Sequence, residues 1–259
     1  KIMGAEEKLK ELEYQLFLAL REDVRLHAKG IIRAAQALAE LDVFAGLAEV
    51  AVRNHYVRPQ LKRDGELLIS AGRHPVVEEM LGESPFVPND THLSETQHLA
   101  LITGPNMAGK STYMRQVALI VLMAHIGSFV PAKKAAISLV DRIFTRVGAS
   151  DDLAAGQSTF MVEMQEVAHI LKYAGPKSLI ILDEIGRGTA TYDGLSIAWA
   201  VTEHLVKQPE FRPKTLFATH YHELTQLQDE FTGLFNLHVG VKERGEDIVF
   251  LHKILPGRA

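Results

Sequence analysis

Residues 99 to 112 read LALITGPNMAGKST, a strand-like apolar run that enters Gly104-Pro105-Asn106-Met107-Ala108-Gly109-Lys110-Ser111-Thr112 and then a helical pattern. The loop fits G-x-x-x-x-G-K-[ST] in the context that gives the pattern meaning, a strand before it and a helix after it. Glycines there let successive backbone N–H groups turn inward around phosphate oxygens, and the positive end of the following helix points at the same anion. Lys110 is placed to reach β- and γ-phosphates, and the Ser111 hydroxyl to sit on Mg²⁺. A loop of this kind holds a nucleoside triphosphate.

A second signal is SLIILDE at residues 178 to 184. The apolar run buries as a strand and delivers Asp183 beside Ser111, where its carboxylate can hold Mg²⁺. Glu184, one residue on, can orient and deprotonate an attacking water. Adjacent residues on a strand point to opposite faces, so this pair cannot flank a sugar bond as glycosidase carboxylates do. His220 follows the strand-like TLFAT, which puts it at the same sheet edge. An imidazole there can hydrogen-bond a γ-phosphate or the attacking water. The nearby His222-Glu223-Leu224-Thr225-Gln226 carries Gln226 where a zinc protease motif needs its second histidine, so that reading is set aside. Residues 186 to 194 are glycine-rich, but Thr191 breaks G-x-G-x-x-G and with it a dinucleotide reading. Phe86, in the loop PFVPND ahead of the phosphate loop, can stack on a base or simply pack on the domain.

The elements that must position these groups can be read from periodicity. Leu9, Leu12, Leu16, Leu20 and Val24 recur at steps of three and four, an amphipathic helix. Ile31, Leu38, Leu41, Phe44 and Leu47 continue the pattern, with Asp42 a candidate N-cap for a second helix and a helical hairpin or long arm packed on its neighbour as the expected form. Arg58-Pro59 ends the helical section. Beyond it, strand-like runs at 67–69, 136–139, 143–147, 178–183, 215–218, 237–241 and 248–251 alternate with helices at 111–126, 159–173 and from just after Gly194 to about Val206. The 111–126 helix is apolar on nearly every side, and residues 148 to 158 form a small polar loop. Alternation of this kind implies an α/β fold with a mostly parallel, doubly wound sheet and the ligand outside the carboxyl ends of its strands.

Composition narrows the class further. With 259 residues, 47% of them hydrophobic, the chain can bury a large core. A formal net charge of −4 lacks the basic footprint of a strong non-specific nucleic-acid binder, so any grip on DNA lies mostly elsewhere. Zero cysteines exclude disulfides and thiolate metal sites, which fits a reducing, cytoplasmic setting. The apolar run 117–124 is far too short to span a bilayer, and no membrane association is expected. The charged opening KIMGAEEKLK has no initiator methionine at position 1, and the chain reads as a piece of something longer.

Taken in order and spacing, TGPNMAGKSTYMRQ, GASDDLAAGQSTFMVEM, LDEIGRGTATYDG and ATHYHEL resemble the ATPase domain of the MutS family of DNA mismatch-repair proteins, particularly its bacterial form. The resemblance runs from about residue 5 to the end. It implies a P-loop ATPase of ABC type over 58–259, preceded at 1–57 by the end of that family's helical lever region. It further implies ATP and Mg²⁺ as cofactors and nucleotide sites completed across a homodimer. Carried over by position, residues 104 to 112 bind phosphates, Asp183 serves Mg²⁺, Glu184 activates water and His220 is the switch histidine. Ser158 and Thr159, heading a helix, resemble the signature element that reaches the γ-phosphate held by the partner subunit, while Phe86 and His252 resemble the residues that flank adenine. Mismatched double-stranded DNA, held by domains outside this sequence, and a MutL-type repair protein are the implied partners.

Two small departures are visible. Ala108 stands where the family usually has glycine, and Ala190 where GRGTSTYDG has serine. The mismatch-reading domain with its Phe-x-Glu motif, the connector, most of the clamp and the helices that secure the dimer are not in the sequence. The chain is therefore expected to bind nucleotide, to recognise mismatches poorly and to dimerise weakly. Two alternatives stay open: an ABC-type ATPase of the chromosome-organising or transporter branches, against which Gly156-Gln157-Ser158-Thr159-Phe160 departs from LSGGQ, and a nucleotide-gated clamp that barely hydrolyses.

Overall fold

The computed structural model describes residues 2–63, 65–82, 84–147, 159–208, 210–244 and 247–258. It divides into two compact units, Lys1–Val50 and Ala51–Ala259.

The first unit consists of the greater part of one helix, α1 (Ile2–Arg53, 52 residues). No proline interrupts it, and neighbours such as Lys10 with Glu6 and Arg25 with Glu22 pair along its surface at 3.7 and 2.5 Å. Asp42 lies inside this helix rather than capping a second one, so of the two expected forms the hairpin is absent and one long helix is found. Without a glycine or proline at position 42, nothing local outweighs continued i→i−4 bonding. Leu9, Leu12, Leu16, Leu20 and Val24 are each more than half exposed.

The second unit carries two sheets. A six-stranded sheet comprises β4 (Leu99–Thr103), β6 (Ile143–Arg146), β7 (Leu179–Asp183), β8 (Lys214–Ala218), β9 (Leu234–Arg244) and β10 (Asp247–Pro256), in the order β10-β9-β4-β8-β7-β6. All neighbours from β9 to β6 are parallel; only β10 pairs antiparallel. The mostly parallel sheet is thus as expected. A second, four-stranded mixed sheet was not anticipated: β1 (Gln60–Lys62), β2 (Leu67–Gly72), β3 (Asn89–Leu93) and β5 (Lys134–Ser138), in the order β1-β5-β2-β3. β3 takes Asn89 and Asp90 out of the loop expected there, and the short helix α2 (Pro75–Met80) follows His74, whose Nδ1 accepts from the Val77 N–H.

Period-two alternation explains the layering. In the six-stranded sheet, Ala100, Ile102, Leu179, Ile181, Leu216 and Ala218 join one core together with α3 (Lys110–His125) and the smaller sheet. Leu99, Leu101, Ile180, Leu182 and Phe217 point the other way, into a core with α4 (Thr159–Tyr173), α5 (Thr191–Lys207) and the 3₁₀ segment His222–Asp229. Strands buried on both faces read as unbroken apolar runs, which is why they were visible in the sequence. Helix α3 buries Met114, Val117, Ile120 and Val121 but leaves Leu122 about half exposed at 48%, so it is covered on one side rather than all round.

Register fixes the functional edge. Ile102 pairs with Ala218, and Ala218 with Asp183, so β4, β8 and β7 finish in one row. Backbone bonds continue the row, from Thr219 N–H to the Ile102 carbonyl at 3.0 Å and from Glu184 N–H to the Ala218 carbonyl at 2.9 Å. One departure noted in the sequence acquires a physical meaning here. Ala190 is the N-cap of α5, in extended conformation (φ −61°, ψ 146°), and offers no side-chain cap. Ala190→Ser should supply one and raise unfolding stability by about 1 kcal/mol, read from urea denaturation midpoints at unchanged m-value.

Candidate functional site

The loop after β4 begins at Gly104 (φ +140°) and ends at Gly109 (φ +107°), the left-handed N-cap of α3. A side chain on Gly109 would be strained by that φ and would sit 3.3 Å from His252 Nδ1. Ala108 is fully buried and is not among the positive-φ residues, so its methyl group fits without strain. Met107, at the tip, takes φ +62° and is 93% exposed.

Lys110 turns back under this loop. Its ammonium donates to the carbonyls of Gly104 at 2.6 Å and Pro105 at 3.1 Å, and lies 3.9 Å from Glu184 Oε1. Burial holds its pKa below the ordinary lysine value, opposed by the charges of Glu184 and Asp183. Across the edge, burial pushes the Asp183 carboxyl up, offset by a hydrogen bond from Ser111. Asp183 Oδ1 is buried with no hydrogen-bond partner among the described residues. A buried carboxylate oxygen without a donor, beside a serine hydroxyl, suits a divalent cation. Mg²⁺ in particular takes one or two protein oxygens and fills its shell with water and phosphate, so the donor set fits even though no cluster of three or more acidic or histidine side chains occurs among the described residues.

Glu184 sits just beyond β7 with φ +53°, unusual for a residue with a Cβ. Its Oε2 accepts from Arg187 Nη1 at 2.7 Å, which leaves Oε1 towards Lys110.

Two cavities meet at this edge. One of about 390 Å³ is lined by the loop residues Pro105, Asn106, Met107, Gly109, Lys110, Ser111 and Thr112, by Glu184, and by both Phe86 and His252. His252 arrives there through an irregularity in the β9–β10 pairing between Phe250 and Ile254 and takes φ +50°. Its Nδ1 lies 3.1 Å from the Ala108 carbonyl, a bond that requires the proton on Nδ1. Asn89, which sequence reasoning missed, secures that turn: its side chain donates to the His252 carbonyl at 3.0 Å and accepts from the Ile254 N–H at 2.8 Å. Gln116 lines the same cavity fully buried, with neither side-chain polar atom partnered among the described residues. The other cavity, about 610 Å³, shares Ser111 and Glu184 and adds Asp183, Thr159, Glu163 and three arginines, Arg115, Arg146 and Arg187.

Most of the expected constellation therefore converges on one edge. His220 is less central. It follows β8 at that edge, but its ring packs on Tyr221 with centroids 4.2 Å apart, and it lines neither cavity. Thr159 opens α4 and lines the larger cavity, whereas Ser158 lies outside the described residues. Among the described residues no helix is long and apolar enough to cross a membrane.

Fold and site together define a mixed α/β protein whose mostly parallel sheet carries a glycine-rich strand-to-helix loop beside an acidic strand end. The family described as MutS domain V matches residues 100–259, and the chain belongs to the MutS family. It is 73% identical over 259 residues to the DNA mismatch repair protein MutS of Desulfitobacterium hafniense, covering all of this chain and 30% of that protein. The MutS proteins of Acetivibrio thermocellus and Ruminiclostridium cellulolyticum are each 61% identical over 259 residues, again across all of this chain and 30% of theirs. The chain thus spans about 30% of the length of the curated relatives it matches.

Proposed function

We propose that the chain is an ABC-type P-loop ATPase region of a DNA mismatch-repair protein, with residues 1–57 a lever segment and 58–259 the ATPase domain. On this reading it binds Mg²⁺ and ATP, hydrolyses the nucleotide, and pairs with a second copy that completes each site. Nucleotide state is thereby coupled to clamp movement on mismatched double-stranded DNA and to a MutL-type partner in the cytoplasm. The observation that carries the reading is the shared edge at which Lys110, Ser111, Asp183 and Glu184 line cavities beside the glycine loop. Membership of the MutS family supports the repair setting.

In this mechanism the loop amides and Lys110 grip the β- and γ-phosphates. Ser111 and Asp183 would hold Mg²⁺, which when bound neutralises charge on the phosphate oxygens. Glu184, fixed by Arg187, orients water for attack on the γ-phosphorus and takes its proton. Phe86 and His252 flank the adenine, and His220 senses the γ-phosphate. Ser158 and Thr159 act on the nucleotide of the partner copy.

Equilibrium binding of a fluorescent ATP analogue, with Mg²⁺ and with EDTA, tests the proposal. Wild type should bind more tightly with Mg²⁺, while Asp183→Asn should bind in Mg²⁺ no better than wild type in EDTA. The same variant carries a stability prediction. Because the folded carboxyl titrates above its unfolded value, its ionised form costs stability that is absent below the unfolded pKa and fully present once pH has risen through the folded one. In metal-free neutral buffer Asp183→Asn should accordingly unfold at a higher temperature than wild type. Failure of the wild-type chain to bind ATP under either condition would overturn the proposed function.

A further inference from the structure

We infer that Glu163 and Tyr221 form a clamp on the backbone of Gly186 that sets the position of Glu184; the inference rests on the ATPase reading above and assigns two positioning residues to the same site. The geometry is a continuous set of short contacts. Glu163, on α4 four positions after Thr159, is 4% exposed and accepts the Gly186 N–H at 2.5 Å. Its other oxygen lies 3.9 Å from Arg146 Nη2. From the opposite side the Tyr221 hydroxyl, on a residue 4% exposed, donates to the Gly186 carbonyl at 3.1 Å. Burial, with the charges of Glu163 and Glu223 adding, pushes that phenol up, so it stays protonated and remains the donor.

Position 186 admits no other residue. Gly186 takes φ +87°, and a Cβ on it would lie 2.5 Å from the Gly194 carbonyl oxygen. A Cβ on Gly194 would in turn meet the Tyr221 hydroxyl and the Gly186 carbonyl. The clamped residue is two positions after Glu184 and one before Arg187, the residue that holds the Glu184 carboxylate. Glu184 itself takes φ +53°, a conformation that persists only where its surroundings over-determine it. The Ala218 carbonyl secures its N–H, and the clamp secures the peptide units that follow. The clamp also joins three elements: the N-terminal part of α4 just past its first turn, the loop after β7, and the segment after β8, where Tyr221 packs on His220. A shift of the α4 end that bears Thr159 would therefore reach Glu184 through one hydrogen bond.

Tyr221→Phe tests this gently, because it keeps the ring against His220 and removes only the donor. Its kcat for ATP should fall about tenfold, the rate equivalent of one net hydrogen bond, while ATP affinity stays at the wild-type value. Glu163→Ala should lower kcat at least as much, and Glu163→Gln, which keeps an acceptor oxygen, should restore most of it. Amide hydrogen exchange at Gly186 should quicken in Glu163→Ala and stay slow in Glu163→Gln. If wild type turns over ATP and both Tyr221→Phe and Glu163→Ala match it, the clamp is wrong. Equal losses in kcat, affinity and thermal midpoint would reduce the two residues to packing and overturn it as well. If wild type neither binds nor hydrolyses ATP, the ATPase reading fails by itself. Exchange at Gly186 then still decides the clamp, an unchanged rate in Glu163→Ala overturning it.

Discussion

Glu184→Gln should leave ATP bound and lower its turnover by about two to four orders of magnitude, the contribution of a well-placed general base. The substitution keeps the shape and an acceptor for Arg187, which holds the carboxylate at 2.7 Å. It removes the negative charge facing Lys110 at 3.9 Å, a separation too long for a hydrogen bond but close enough to matter electrostatically. Loss of that charge leaves Lys110 with less compensation from the protein, so phosphate binding should hold or tighten slightly. Only the proton acceptor is lost. Equilibrium binding and single-turnover hydrolysis, measured on the same preparations, separate the two effects. Turnover within about threefold of wild type, far less than a general base contributes, would remove Glu184 from the role assigned to it.

How far such a site could be read beforehand depends on whether its physics is local. The apolar runs of β4, β7 and β8 are buried on both faces, so their composition alone announced them. Their last residues then named the loop, Asp183, Glu184 and His220. That Ile102, Ala218 and Asp183 end in one row is a matter of register, which parallel strands acquire only through their long connections. The smaller sheet was hidden for the same reason, since its β1 pairs with β5 across more than 70 residues of chain. His252 illustrates a subtler limit. In sequence it directly follows the strand-like run 248–251, and only the irregular pairing at 250–254 turns it onto the Ala108 carbonyl. Glu163 and Tyr221 were equally silent. A carboxylate near the start of a helix ordinarily reads as a solvated group favoured by the dipole, but the structure puts Glu163 just past the first turn of α4, and nothing nearby in sequence reveals that its partner is a peptide N–H 23 positions away. The cap signal at Asp42 misled in the opposite direction: with no proline or glycine adjoining it, the i→i−4 ladder runs on unbroken from Ile2 to Arg53.

Lys110→Met should weaken ATP binding by roughly 10- to 150-fold, the equivalent of a charge-assisted hydrogen bond worth about 1.5–3 kcal/mol. An ammonium has three donors, and in Lys110 two of them already meet the carbonyls of Gly104 and Pro105. The carbonyls hold the side chain in place, so little rotamer entropy remains to be lost when the third donor meets a phosphate oxygen. Lys110→Arg should fail to rescue binding, because a planar fork cannot fill a socket shaped for a compact ammonium that is 4% exposed. The same residue leaves a signature in stability that needs no ligand. Burial holds its folded pKa below the ordinary lysine value, so between the two values the unfolded chain binds more protons and stability rises with pH. Below the folded value both states are protonated and the increment is gone. The difference in unfolding free energy between wild type and Lys110→Met, followed by urea denaturation on the alkaline side of neutrality, should therefore grow in favour of wild type as pH rises toward the ordinary lysine value. A flat difference would mean that the ammonium is no more costly in the fold than in water, and that the loop does not desolvate the charge it needs for phosphate.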